Sequence, residues 1–151
     1  MKKKTMAILG GIAAAVLFAA LVTWWYTDYS NCLKLNWGFS LPLRAGYTEV
    51  YAGNTPSGIH GDGIRYHVFS YKREAQIETM FRWTEEEAPT RRHLSYRKAA
   101  EAWLGELDVP AEFRPDYENC VYWYEIQSGN DEIIVFWDET ADTVAMLEFF
   151  L

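Results

Sequence analysis

The sequence predicts an α+β protein: an antiparallel sheet of about five strands with two helices on one face, preceded by one N-terminal transmembrane helix. An uncharged apolar run lies near the N-terminus, and two stretches of helical periodicity lie in the middle of the chain. Short β-branched and aromatic runs lie on both sides of those two stretches. The expected order along the chain is therefore the membrane helix, two strands, two helices and three strands.

The N-terminal segment, residues 1–27, has the pattern of a signal anchor. Three lysines precede residues 6–26, which carry no charge and would form a helix about 30 Å long, the thickness of a bilayer's hydrocarbon core. The run ends in bulky aromatic residues, which favours an uncleaved anchor over a removed signal peptide. We expect a single-pass protein of the cell membrane with a cytoplasmic N-terminus.

Beyond the anchor we expect two regions. Residues 28–46 are interpreted as an irregular juxtamembrane lead-in, and residues 47–151 as one extracytoplasmic domain. Cys32 and Cys120 would both face an oxidising space, where they could form a disulfide or remain two free thiols. Their spacing does not resemble a metal-binding pair.

The first two predicted strands are YTEVY (47–51) and IRYHVFSY (64–71), and they flank the loop AGNTPSGIHGDG. Glycine and proline are dense in this loop, so no regular element is expected there. His67 falls within the second strand and is expected to be an ordinary strand residue.

The two predicted helices follow a change of period. The first covers about 73–83 and ends before Pro89, because the residue preceding a proline is pushed out of helical geometry. The second begins after Ser95, a plausible N-cap. Its apolar stripe comprises Tyr96, Ala99, Ala100, Trp103, Leu104 and Leu107.

Three further strands are expected at 120–126, 132–137 and 143–150, joined by hairpin turns. Both faces of these strands are apolar, so the helices would cover one face. The lead-in, a partner or a ligand would then cover the second face. The high aromatic content, 17% of residues, is expected to serve packing across strands rather than a carbohydrate or peptide groove.

The loop NTPSGIHGDG and the closing hairpin IIVFWDETADTVAMLEF resemble a group of small bacterial proteins of no established activity. Members are membrane-anchored or secreted, with an H-G-D-G loop and a C-terminal Y/W-D hairpin. The matching positions are Thr55, Gly58, His60, Gly61, Asp62 and Gly63. Asn54 and Pro56 depart from the group's pattern, which has Asp and His there. The resemblance implies the fold outline and no activity.

The H-G-D-G loop has two interpretations. His60 and Asp62, with His67 further on, could bind zinc or another divalent ion. Alternatively, Gly61 and Gly63 permit a tight turn, and the Asp62 side chain bonds to the backbone. The second interpretation is the expected one, and His93 is expected to face solvent.

Other motifs predict no catalysis. The Ser-x-x-Lys at 95–98 matches a penicillin-binding protein motif but lacks its partner motifs, and Glu85–Glu87 are expected to be solvated. No phosphate loop or catalytic elbow is present in the sequence, and no cofactor is expected. The net charge of −7 argues against a nucleic-acid partner.

Three functional hypotheses follow. The first is a non-catalytic binding module for an envelope protein or peptide, which would use the second sheet face or the H-G-D-G loop. The second is a metal-dependent hydrolase centred on His60 and Asp62. The third is an immunity or inhibitor-type protein whose acidic surface neutralises a basic toxin.

Overall fold

The computed structural model describes residues 2–56, 62–84, 95–127 and 129–151, except the side chains of residues 2–9, 24, 26 and 27. The chain divides into two units, Met1–Leu41 and Pro42–Leu151. The first unit contains helix α1 (Lys2–Thr27) and helix α2 (Tyr29–Trp37). Within the side chains that are described, no helix has both the length and the apolar character needed to cross a membrane.

Helix α2 corrects the expectation of an irregular lead-in at 28–46. It begins at Asp28, whose carboxylate accepts a hydrogen bond from the Ser30 backbone N–H at 2.8 Å. It ends at Gly38, which adopts φ 78° and donates its N–H to the carbonyl of Lys34. Both boundary residues are helix signals in the sequence, so a short capped helix was predictable there.

The second unit contains a five-stranded antiparallel sheet, which confirms the predicted α+β class. Its strands are β1 (Thr48–Asn54), β2 (Gly63–Ser70), β3 (Cys120–Ile126), β4 (Glu132–Asp138) and β5 (Thr143–Phe150). Their order in the sheet is β1-β2-β5-β4-β3, so the last strand along the chain is the central one. The spatial order therefore differs from the order in sequence.

One face of the sheet is covered by helix α4 (Tyr96–Glu106). Ser95 caps this helix as predicted, because its hydroxyl accepts from the backbone N–H of Lys98 at 3.4 Å. The Tyr96 ring stacks on Tyr122, and the Trp103 ring stacks on Phe149 at 4.8 Å. We refer to this side as the α4 face.

The predicted first helix is shorter than expected and lies on the opposite face. Helix α3 spans Glu74–Glu78. The indole N–H of Trp83 donates to the carbonyl oxygen of Ile77, near the C-terminus of this helix, at 3.1 Å. The Trp83 ring packs on Trp137 at 5.3 Å between ring centres. Trp137 follows Phe136, a residue of the α4 face, so its side chain points to the other side. The expectation of two helices on one face is therefore wrong.

This second face is buried as thoroughly as the first. Ile133, Val135, Val144 and Met146 have no exposed surface. Aromatic side chains also pack on this face. The Phe81 ring stacks on Trp123 with 4.2 Å between ring centres, and the Trp137 indole N–H donates to the Tyr71 hydroxyl at 2.8 Å. Among described residues of 42–151, the exposed large apolar side chains are Leu43, Val50 and Leu151. The second face is therefore not an open binding surface.

The free edge of β3 is protected by Thr84. This residue exchanges two backbone hydrogen bonds with Tyr122, each 2.9 Å long. Thr84 thus lies at the sheet edge, between α3 on one face and α4 on the other. Its two hydrogen bonds satisfy a backbone N–H and a carbonyl of β3 that could otherwise pair with another strand.

Candidate functional site

The loop between β1 and β2 is closed at its base by Thr55. Its backbone N–H donates to the Ile64 carbonyl at 2.9 Å, and its hydroxyl accepts from the Ile64 N–H at 2.8 Å. Gly63 adopts φ 144°, and a Cβ added there would lie 2.5 Å from the Thr55 hydroxyl oxygen. Glycine is required at this position by both conformation and space. The base of the loop therefore has a structural role.

The candidate ligands are not brought together in the described part of the chain. His60 lies outside the described residues, and Asp62 is exposed. His67 is a strand residue, as predicted. It lies on the second face, where its Nδ1 is 2.6 Å from Glu49 Oε1 on β1. Among the described residues, no group of three histidines, cysteines or carboxylates could hold a metal ion. A metal at His60 and Asp62 stays an alternative hypothesis.

The remaining motifs also take structural positions where they are described. The Ser-x-x-Lys at 95–98 forms the cap of α4, so its serine hydroxyl accepts from backbone instead of pairing with a lysine amine. His93 and Glu85–Glu87 lie outside the described residues.

A cavity of about 410 Å³, which we call the sheet-end cavity, opens on the α4 face. It lies where β2, β4 and β5 extend beyond α4, and no residue of α4 lines it. Its floor is formed by buried residues of the sheet: Tyr66, Val68, Cys120, Phe136 and Ala145. The floor is therefore mainly apolar and partly aromatic.

The outer wall of the cavity is the connection between α4 and β3. The buried Tyr66 hydroxyl donates to the carbonyl of Phe113 at 2.7 Å, and Phe113 stacks on Tyr51 at 4.8 Å. Burial is the main cause that raises the pKa of the Tyr66 phenol, which stays protonated and keeps donating at neutral pH. The wall is thereby fixed to the sheet.

Charged residues surround the mouth of the cavity: Glu112, Arg114, Asp116 and Asp138. Asp138 Oδ1 accepts from the Thr140 N–H, the Thr140 hydroxyl and the Ala141 N–H. Hydrogen bonds from the Asn119 side chain and the Glu118 N–H lower the pKa of Asp116. Both carboxylates are therefore fixed at the mouth of the cavity, and the pKa of Asp116 keeps it ionised at neutral pH.

Cys120 on the cavity floor is an unreactive thiol. Burial, and then the charges of Asp138 and Asp116, raise its pKa to about 11. Only about one molecule in a thousand would carry the thiolate at pH 8. Neither Cys32 nor Cys120 forms a disulfide in the described part of the chain, and a bridge between them stays a prediction.

A second cavity of about 310 Å³ adjoins Arg97 and Tyr117. Arg97 donates from Nη2 to the Tyr117 carbonyl at 2.8 Å and lies over the Tyr117 ring. Within the part of the chain that the structure describes, Arg97 Nε and the Tyr117 hydroxyl have no hydrogen-bond partner, but both atoms are buried. They offer no accessible contact to a ligand, so the sheet-end cavity is the stronger candidate site.

The sheet-end cavity could not be found from sequence patterns. Its floor residues come from β2, β3, β4 and β5, and its wall comes from the connection between α4 and β3, which includes a 3-10 helix at Ala111–Phe113. Each floor residue resembles ordinary core in its own strand. The sequence offers one signal, the concentration of charged residues in EFRPD (112–116).

We expect Gly63→Ala to lower the free energy of unfolding by about 2 kcal/mol, because alanine strains the backbone and displaces the Thr55 hydroxyl. Urea denaturation of the full chain would measure this change. Gly105→Ala is the matched control: Gly105 lies in α4 with open space around it, so alanine should stabilise by about 0.5–1 kcal/mol. Equal effects of both substitutions would contradict the assigned role of Gly63.

We expect iodoacetamide at about pH 8 to leave native Cys120 unmodified and to modify it after denaturation, because the raised pKa and burial suppress the thiolate. Mass spectrometry without reductant would measure labelling at each cysteine, with Cys32→Ser as the control. Rapid labelling of native Cys120 would contradict the assignment. Failure of both cysteines to label after denaturation would indicate the disulfide.

Comparisons with family models, curated proteins and solved structures find no match to this chain. The resemblance of the H-G-D-G loop and the closing hairpin to a bacterial group stays a prediction. The sheet-end cavity is therefore the feature of the described chain on which a functional assignment can rest.

Proposed function

We propose that this protein is a membrane-anchored, non-catalytic binding module whose ligand site is the sheet-end cavity. The observation that carries the proposal is a cavity of about 410 Å³ with a buried apolar floor and a charged mouth. Small-molecule sites in proteins are typically concave, mainly apolar and about 300–1,000 Å³ in volume. The site is distinct from both binding surfaces expected from the sequence, the second sheet face and the H-G-D-G loop.

Binding is favoured over catalysis by the chemistry of the lining. The thiol of Cys120 is held protonated, so it is a poor nucleophile at neutral pH. None of the described residues that line the cavity is a histidine, and the Oδ1 atom of Asp138 is engaged by its own turn. A metal-dependent hydrolase centred on His60 and Asp62 gains no support from the described residues.

The location of the domain is also a proposal. Three lysines followed by the uncharged residues 6–26 support a single-pass anchor with the N-terminus in the cytoplasm. The same topology would place the sheet-end cavity outside the membrane, on the extracytoplasmic side. Envelope peptides or small molecules would then be the ligands available to it.

An inhibitor-type protein is the second candidate function. The net charge of −7 supports it, because an acidic surface accelerates and strengthens association with a basic partner. In this case a basic side chain of the partner would occupy the same cavity.

We expect benzyl alcohol, a neutral ring-containing probe, to bind in the sheet-end cavity and shift the methyl NMR signals of Val68 and Ala145. The full chain in lipid nanodiscs would be used, since signals from floor residues report on the cavity and not on probe dissolved in lipid. Ala141→Trp should abolish the shifts because Ala141 lines the cavity and is exposed.

Ala102→Trp is the matched control, because Ala102 is an exposed alanine of α4 outside the cavity lining. It should leave the shifts intact. Absence of any shift in the unmodified protein at saturating probe would refute the cavity as a ligand site.

We expect the full chain to remain with the membrane pellet after alkaline carbonate extraction, because residues 6–26 supply an uncharged run long enough for the hydrocarbon core. Protease added to intact spheroplasts should remove the domain. Val16→Asp with Leu17→Asp should release the protein into the soluble fraction. A domain protected from external protease would contradict the proposed orientation.

A further inference from the structure

We infer that the sheet-end cavity takes a small ligand that joins an apolar body to a positively charged ammonium group. This inference rests on the proposed binding function and adds the chemical class of the ligand. The apolar body would lie on the buried floor, and the ammonium group would lie at the mouth.

The charge balance of the mouth supports a cation. Three carboxylates, those of Glu112, Asp116 and Asp138, face one guanidinium, that of Arg114, which leaves a net charge of −2. The guanidinium is partly engaged, since Arg114 Nε donates to the Val109 carbonyl at 2.8 Å. Burial and then the charges of Asp138 and Asp116 raise the pKa of Cys120, so two of the three carboxylates act on the cavity floor.

Asp138 is the best placed of the three carboxylates. Its Oδ1 accepts three hydrogen bonds from residues 140 and 141, which fix the orientation of the carboxylate. Its Oδ2 accepts no hydrogen bond within the described part of the chain. An ordered carboxylate with one available oxygen suits an ammonium group, because charge-assisted hydrogen bonds are stronger than neutral ones.

The aromatic residues of the lining support the same ligand class. Tyr66, Phe113 and Phe136 all line the cavity. Aromatic faces attract organic ammonium ions electrostatically, and a site that combines them with carboxylates favours such ions over neutral molecules of equal size. The same rings and carboxylates would repel an anionic ligand electrostatically.

Three probes that share one benzene ring test the inference: benzylammonium, benzyl alcohol and benzoate. Each would be titrated against the full chain in lipid nanodiscs, with the methyl signals of Val68 and Ala145 as the readout. We expect benzylammonium to bind about fivefold more tightly than benzyl alcohol, the scale of one partly exposed ion pair. Benzoate should bind most weakly.

Asp138→Asn should remove most of the preference for benzylammonium and leave benzyl alcohol binding unchanged. Asparagine keeps an oxygen that can accept the three hydrogen bonds of the turn, so the fold should persist. Glu139→Gln is the matched control, because it removes the same charge from an exposed residue of that turn outside the cavity lining. It should retain the preference.

The outcomes separate the two proposals. Equal binding of benzylammonium and benzyl alcohol would overturn the inference while leaving the cavity as a binding site. Tightest binding of benzoate would also overturn the inference. It would indicate that the Arg114 guanidinium, and not the carboxylates, determines which charge the cavity mouth binds. If none of the three probes shifts the floor methyl signals, the proposed function itself fails.

Discussion

The structure of the folded domain depends on one constraint: between Val144 and Leu147 its central strand, β5, is apolar on both sides, and both sides must be covered. Val144 and Met146 point to one face and Leu147 to the other, and all three have no exposed surface. A sheet with one solvated face would place polar residues at alternate positions of this strand. Helices α3 and α4 therefore lie on opposite faces, and the chain passes the sheet edge at Thr84 to connect them.

The sheet-end cavity follows from the same constraint. Helix α4 has 11 residues and is about 16 Å long, whereas the eight residues of β5 extend about 27 Å. One short helix cannot cover the whole α4 face. The connection between α4 and β3, which includes a 3-10 helix at Ala111–Phe113, covers part of the remainder and leaves the cavity beside it. The cavity therefore lies between a rigid sheet floor and a wall held by the Tyr66 hydroxyl.

In this domain, the residues that stabilise the fold are different from the charged residues that surround the cavity. The H-G-D-G loop, which carries the most suggestive residues of the sequence, is closed at its base by Thr55 and Gly63. The charged residues around the cavity lie on connections and strand ends, where a change of side chain does not disturb the core. The residues around the cavity can therefore change without altering the fold.

The sequence by itself determined the local elements. Runs of β-branched and aromatic residues located all five strands, and Ser95 located the start of α4. The Asp28 and Gly38 boundary signals of α2 were equally present in the sequence. Only the tertiary structure decided the strand order, the separation of the helices onto two faces and the position of the cavity. These features depend on contacts between residues far apart in the chain: Trp83 with Trp137, and Tyr66 with Phe113. Periodicity reports which side of an element is apolar, but it carries no information on which partner covers that side.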